Sequence, residues 1–375
     1  MTASAATPTA APLGLDGVVA AETRLSRVDG QAGRLIVRGH DIERLAGHTS
    51  FEAMAALLWH GLARGSADET AVAVALGKAR AAVAGRLPDL LPPAAGLPPI
   101  DGLRLGLAAL NDDAPLGDHI MTTAAVPVLI AAQWRAAQGA APVAPDPALG
   151  QTADFLRMLT GAAADRDIVR ALETYLVVVA DHGMNASTFT ARVVASTRAG
   201  IVASVVAALC ALKGPLHGGA PGPVLDMLDE IGDVNGIAPW LDGTLASGER
   251  LMGFGHRIYR TRDPRADVLK GVVAGLRRDA GRIAFAEQVE QAAIATLAKR
   301  YPTRNLDTNV EFYTALLLDA VGLPRELFTP AFAIGRVLGW TAHAFEQVKG
   351  GRIIRPASRY IGDLPEGEAA LAVAG

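Results

Sequence analysis

Three short segments of this chain set a histidine beside glycine: Ala180–Thr188 reads ADHGMNAST, Gly214–Ala220 reads GPLHGGA and Gly253–Arg257 reads GFGHR. Each places its imidazole (His182, His217, His256) at the end of one helical pattern or just before the next. Glycine lets another backbone or a ligand come close, and a helix N-terminus offers free N–H groups and positive potential to an anion. The chain has eight histidines, so three in this setting stand out. A histidine beside glycine is also an ordinary helix cap, and the spacing by itself names no reaction.

Other chemistries find no support. There is no G-x-S-x-G elbow, no H-E-x-x-H and no C-x-x-C pair. GFGHRI begins as a G-x-G but lacks the third glycine and a preceding hydrophobic strand, so it is no dinucleotide fingerprint. The histidines are too scattered to form a zinc set with the single cysteine, Cys210.

The elements that must carry these segments read as helices. Leu25–Val37 has β-type residues on either side of Asp29-Gly30 and predicts a small hairpin. Phe51–Trp59 is amphipathic, with Thr49-Ser50 as cap and Glu52 in the first turn. Residues 86–100 and 135–147 are Pro- and Gly-bearing breaks. Ile168, Leu172, Leu176 and Val179 repeat at helical spacing up to His182, and Ile201–Leu212 predicts a buried helix stopped by Gly214-Pro215. Asp263-Pro264 reads as a cap followed by proline at the first helical position. A helix through Phe312, Leu316 and Ala320 stops at Gly322, and another runs from about Thr329 to Val348, with Arg336 inside it as a buried structural partner. The fold class is all-α with a minor N-terminal hairpin.

Composition agrees. Of 375 residues half are hydrophobic and 5% aromatic, which favours packed helices. A net charge of −3 without blocks of like charge argues against a nucleic-acid partner. One cysteine excludes intrachain disulfides and suits a reducing, cytoplasmic setting. Met1–Pro12 reads as a disordered tail and not a secretory signal. Apolar runs such as Ala199–Leu212 end well short of the roughly 18 residues of a membrane span, so no membrane is expected.

Taken in order, the motifs resemble the citrate synthase family. The likeness runs through GLDGVVAAETRLSRVDGQAGRLIVRGHD, FEAMAALLWHG, ADHGMNASTFTARVVAST, GPLHGGAPGPVLDML, LMGFGHRIYRTRDPRADVL, NVEFYTALLLDAVGLP, GRVLGWTAHAFEQ and RIIRPASRYIG. It implies a helical homodimer acting on acetyl-CoA and oxaloacetate, with no metal or redox cofactor. It also implies a large domain (residues 13–213 and 322–375) and a smaller one (about 214–321) that closes on substrate. By matching position, Glu311 is the base that takes the thioester's methyl proton. His217 donates to the thioester oxygen, and His256 polarises and protonates the oxo-acid carbonyl. His182, Arg265 and Arg355 match ligands of the oxo-acid, and arginine suits this because its fork can hold a carboxylate. Coenzyme A is expected along 253–262, at Gly253, Phe254, Gly255, Arg257 and Arg260, with Lys299, Arg300 and Arg304 as a second basic cluster.

The sequence departs from the family pattern in three places. Glu311 stands where aspartate is usual, GGAPGPV replaces GGANEAV, and no arginine follows Arg359, although family members often carry one there that reaches the partner's site. The intact NV and FY around Glu311 imply that the backbone accommodates the extra methylene. Propionyl-CoA in place of acetyl-CoA, giving a 2-methylcitrate synthase, differs only in pocket volume. A degenerate homologue that binds CoA or an acid without turnover is the alternative of another class.

Overall fold

The computed structural model describes residues 13–15, 17–64, 68–114, 117–218, 221–256, 258–276 and 280–363. The expected N-terminal tail and Arg257 lie outside these. A three-stranded antiparallel sheet opens the fold: β1 (Ser26–Asp29), β2 (Arg34–Val37) and β3 (His40–Asp41) in the order β1-β2-β3, with Val28 opposite Leu35. The turn falls at Gly30–Gly33, where Asp29 accepts from the N–H of Ala32 at 3.0 Å.

Helices follow: α1 (Ile42–Leu45), α2 (Phe51–Trp59), α3 (Glu69–Ala84), α4 (Leu87–Ala94), α5 (Pro99–Ala108), α6 (Asp118–Ala137), α7 (Gln151–Thr160) and α8 (Arg166–Val178). Then come α9 (Ala186–Ser196), α10 (Ile201–Leu212), α11 (Pro221–Ile231), α12 (Ile237–Ala246), α13 (Pro264–Gly275), α14 (Ala280–Arg300), α15 (Val310–Ala320) and α16 (Phe328–Gly350). The caps are where the sequence puts them. Ser50 Oγ accepts from Ala53 N at 3.0 Å and Asp263 from Arg265 N at 3.1 Å.

Two expectations are corrected. The Pro-rich stretch from residue 86 is not a plain break. α4 forms within it because Pro88 falls in the first turn, where no N–H is missed, and Leu87, Leu90 and Ala94 supply a buried face. And one helix, α6, is long and apolar enough by length and composition to cross a membrane, contrary to the reading of the apolar runs, although 72% of that window is buried inside the protein.

α16 is the axis of the core, with residues such as Phe328, Ile334, Leu338 and Trp340 buried. It packs against α2, α6, α8, α9 and α10. Its approach to α8 requires glycine: a Cβ at Gly335 would stand 2.6 Å from the carbonyl oxygen of Leu176. That contact holds Arg336 against the end of α8, where the loop bearing His182 begins. A buried ion pair, Arg80 with Asp154 at 2.8 Å, ties α3 to α7, and Gln151 and the carbonyls of Asp146 and Leu149 accept further guanidinium N–H groups.

Candidate active site

The loop after α8 is gripped from both sides of His182 by one serine of β1. Ser26 Oγ donates to the buried carboxylate of Asp181 and accepts from Gly183 N at 2.9 Å. Burial pushes Asp181 up, but His343, Ser26 and Arg336 outweigh it and hold the carboxyl below its ordinary range. His182 is 7% exposed, and its Nε2 lies 3.1 Å from the hydroxyl of Tyr259. Burial, then the charges of Arg265 and Arg336, keep its ring neutral, well below the usual imidazole range.

His256 leaves a tight turn. Gly253 and Gly255 have φ of 85° and 78°, the left-handed region that costs glycine nothing. The turn is pinned to the entry of α15: Asn309 donates from its backbone to Gly253 O and from its side chain to Gly255 O, each at 2.9 Å. The Nδ1 of His256 accepts from the N–H groups of Ile258 (2.9 Å) and Tyr259 (3.0 Å). A neutral imidazole has one proton, so this fixes it on Nε2. Burial and the neighbouring Arg265 bring the pKa down to about 4, so the ring is neutral at physiological pH.

Arg265 opens α13 with its guanidinium buried, 4% exposed, and so is no surface salt bridge. Asp263 holds it by a two-pronged contact, Nε at 3.0 Å and Nη2 at 2.8 Å, while also capping the helix. Nη2 stands 3.4 Å from Nε2 of His256. With the tautomer just fixed, both atoms are donors, and so close a pair suits an anionic acceptor set beside them.

Glu311 sits in the first turn of α15, its N–H donating to the cap Asn309 at 2.9 Å. Its carboxyl has no hydrogen-bond or ion-pair partner among the described residues. Burial raises its pKa to about 7, against the opposing pull of Arg265 and Arg336. A carboxyl poised near neutrality is what general-base chemistry needs.

His217 lies in the turn after α10, its Nε2 facing Ser187 Oγ at 2.8 Å, and Trp340 Nε1 donates to the same hydroxyl at 3.0 Å. Burial and the charge of Arg336 bring it to about 4. Its ring centroid is 6.3 Å from that of Phe332, over which Arg336 lies at 4.7 Å.

Arg336 changes its reading. Its Nε donates to Val179 O at 2.5 Å, as a structural partner would. Yet its charge acts on His182, His217 and Glu311 alike, so it shapes the electrostatics of the site. Sequence reasoning passed over it because an arginine inside an apolar helix announces burial and not the direction it faces. Ser187, Tyr259 and Asn309 were likewise not singled out, although each lies inside a quoted motif.

The structure thus brings His182, His217, His256, Arg265 and Glu311 into one electrostatically coupled cluster. It does not bring Arg355 there. That residue is exposed on residues 351–363, which form no helix or strand. Arg260 is exposed, but its backbone N–H is spent on Gly30 O at 2.9 Å. Gly253 is buried against Phe312, Phe254 packs on the Phe312 ring at 5.4 Å, and Gly255 N donates to Asp307 O at 2.8 Å. Arg300 donates to Leu245 O at 2.8 Å, and Arg304 lies over the Tyr301 ring.

A largely helical protein that sets a near-neutral carboxyl among hydrogen-bond donors suits activation of a carbon acid beside an anion, the work of a condensing transferase. Residues 14–357 match the family model described as citrate synthase, C-terminal domain. The chain belongs to the citrate synthase family. A citrate synthase from Acidithiobacillus ferridurans is 37% identical over 96% of this chain and 97% of its own. The crystal structure of citrate synthase from Thermotoga maritima MSB8 superposes with a TM-score of 0.84 at 34% identity, covering 95% of this chain and 97% of that one. The citrate synthase from Thermoplasma acidophilum, solved as a ternary complex with carboxymethyl coenzyme A and oxaloacetate, gives 0.84 at 27% identity over 95% and 97%.

Proposed function

We propose that this protein condenses acetyl-CoA with oxaloacetate and hydrolyses the citryl thioester to citrate and CoA. The observation that carries this reading is the pair of converging donors, His256 Nε2 and Arg265 Nη2, with a carboxyl of pKa about 7 in the same cleft. A dianion bearing a ketone matches these donors: one carboxylate for the guanidinium and a carbonyl oxygen for the imidazole N–H. Glu311 removes the thioester's methyl proton while His217 donates to the developing enolate oxygen. The enolate carbon then bonds to the ketone carbon while the Nε2–H of neutral His256 donates to the oxygen on which charge develops; that alkoxide takes up a proton from solvent as Glu311 returns its own. His182 and Arg265 hold the oxo-acid, and Arg336 adds positive charge to the site. Water cleaves the citryl thioester and releases CoA, which makes the sequence irreversible in practice.

Coenzyme A lies along residues 253–262 with Arg257 and Arg260 toward its phosphates, and no other cofactor takes part. The active form is a cytoplasmic homodimer whose smaller domain, about 214–321, closes on substrate. Support for the dimer is the exposed C-terminal segment, which carries Ile353, Tyr360 and Ile361 at 61%, 70% and 88% exposure together with Arg355. Such a segment suits a partner subunit, to which Arg355 would bring its charge. The deciding experiment is a steady-state assay of free thiol release with oxaloacetate and either acetyl-CoA or propionyl-CoA. Faster turnover per KM with propionyl-CoA would replace the substrate assignment, and no thiol release with either would remove the condensing activity.

A further inference from the structure

Tyr259 lies at the centre of the oxo-acid cleft without a role in the chemistry so far. Its side chain is 2% exposed, and its ring touches three of the groups that face the substrate. The hydroxyl is 3.1 Å from His182 Nε2. The ring centroid is 4.7 Å from that of His256 and 5.7 Å from that of His182. The guanidinium carbon of Arg265 lies 5.9 Å from the same centroid. Its backbone N–H is one of the two that fix the proton of His256 on Nε2.

The hydroxyl has one proton to give, and among the described residues His182 Nε2 is its only partner. Burial pushes the phenol above its ordinary range, so that proton stays in place. His182 is neutral, with one proton for two ring nitrogens. If Nε2 carried it, Nε2–H and the phenol O–H would both be donors and the phenol proton would have no acceptor, which is costly for a buried group. With the phenol donating to Nε2, the histidine proton is on Nδ1, which has no partner among the described residues and is left to serve a ligand.

We infer that Tyr259 is a positioning residue for the oxo-acid: its hydroxyl sets His182 as the Nδ1–H tautomer, and its backbone N–H sets His256 as the Nε2–H tautomer. One residue thereby makes both histidines donors toward the same anionic substrate. This inference rests on the oxo-acid site proposed above, and it assigns to the tyrosine hydroxyl a share of specificity for an acceptor-rich ligand.

Tyr259→Phe keeps the ring and the backbone N–H and removes only the hydroxyl. The oxaloacetate KM is expected to rise about tenfold, the effect of one buried hydrogen bond, with the acetyl-CoA KM changed less than twofold. In protein labelled with 15N-histidine, and with His182 assigned from a His182→Gln sample, the wild type should show protonated Nδ1 and unprotonated Nε2. The phenylalanine variant should move toward a tautomer mixture while His256 keeps its pattern. A wild-type spectrum with His182 protonated on Nε2, or an unchanged oxaloacetate KM in the variant, overturns the inference. So does an equal rise in both KM values with a lowered thermal midpoint, the signature of a structural role. Failure of the functional reading is distinct: the wild type would then release no thiol, while the histidine spectra still decide the tautomer.

Discussion

The side-chain amide of Asn309 donates to the carbonyl of Gly255 at 2.9 Å while its Oδ1 accepts from the N–H of Glu311, also at 2.9 Å. One residue therefore joins the turn that delivers His256 to the helix start that delivers Glu311. Asn309→Ala removes both links. The lost cap should cost about 1 kcal/mol of stability, within the range for such caps. Turnover should fall much further, about a hundredfold, because small misplacements of reacting groups are severe. A kcat that falls no more than tenfold beside the same shift in thermal midpoint would reduce Asn309 to a plain cap.

Glu311→Gln should nearly abolish condensation, by about 10³-fold or more in kcat for a lost general base, and Glu311→Asp should keep part of it. The pKa of about 7 adds a sign. As the base must be ionised, kcat/KM should rise with pH along a limb near 7. His217 and His256, at about 4, contribute no limb there.

The same shift sets a stability relation. The folded state holds the Glu311 proton more tightly than the unfolded chain, whose ordinary value is 4.5. Stability is therefore fully present below about 4.5 and is lost as pH rises through about 7, by at most about 3 kcal/mol for a shift of this size. Glu311→Gln escapes that loss and should melt higher than wild type at pH 8, with the gain vanishing near pH 4.5. Thermal midpoints at the two pH values check this; a variant less stable than wild type at pH 8 contradicts it.

Arg265→Leu should raise the oxaloacetate KM by a hundredfold or more and the acetyl-CoA KM far less, since a buried carboxylate loses its charged partner. Asp263 is also left buried without its counter-ion, so a stability cost of about 3 kcal/mol accompanies the change. Arg265→Lys keeps the charge but not the fork, and should recover stability more than KM. Equal effects on both KM values would make Arg265 structural.

Gly30 is the point where the N-terminal hairpin meets the loop after His256. Its carbonyl accepts from Arg260 N at 2.9 Å, and a Cβ there would fall 2.2 Å from Ile258 O. Gly30→Ala must displace the loop whose N–H groups orient His256. The expected outcome is a loss of about tenfold or more in kcat, in line with the cost of small displacements, with the α-helical circular dichroism unchanged. Wild-type kcat in this variant would show that the hairpin does not position the loop.

The sequence by itself determined α2, α8, α10, α13, α15 and α16, the caps of α2 and α13, and the chemistry-bearing motifs. Helical periodicity, Ser50, Asp263-Pro264 and glycine beside histidine are local signals, written within a few residues of where they act. The hairpin at Asp29-Gly30 was legible for the same reason. The helix inside the Pro-rich stretch from residue 86 was not, because there the burial of Leu87, Leu90 and Ala94 outweighs the local preference. Nor were the states of the site residues. Whether Arg336 faces the cleft depends on the approach of α16 to α8 through Gly335, which joins residues far apart in the chain. The proton on His256 Nε2 follows from backbone hydrogen bonds, and the near-neutral carboxyl of Glu311 from burial and charges contributed by α13 and α16. Residue type and spacing say which groups can react; desolvation and hydrogen-bond geometry, which exist only once distant segments are packed, decide in which protonation state they do so.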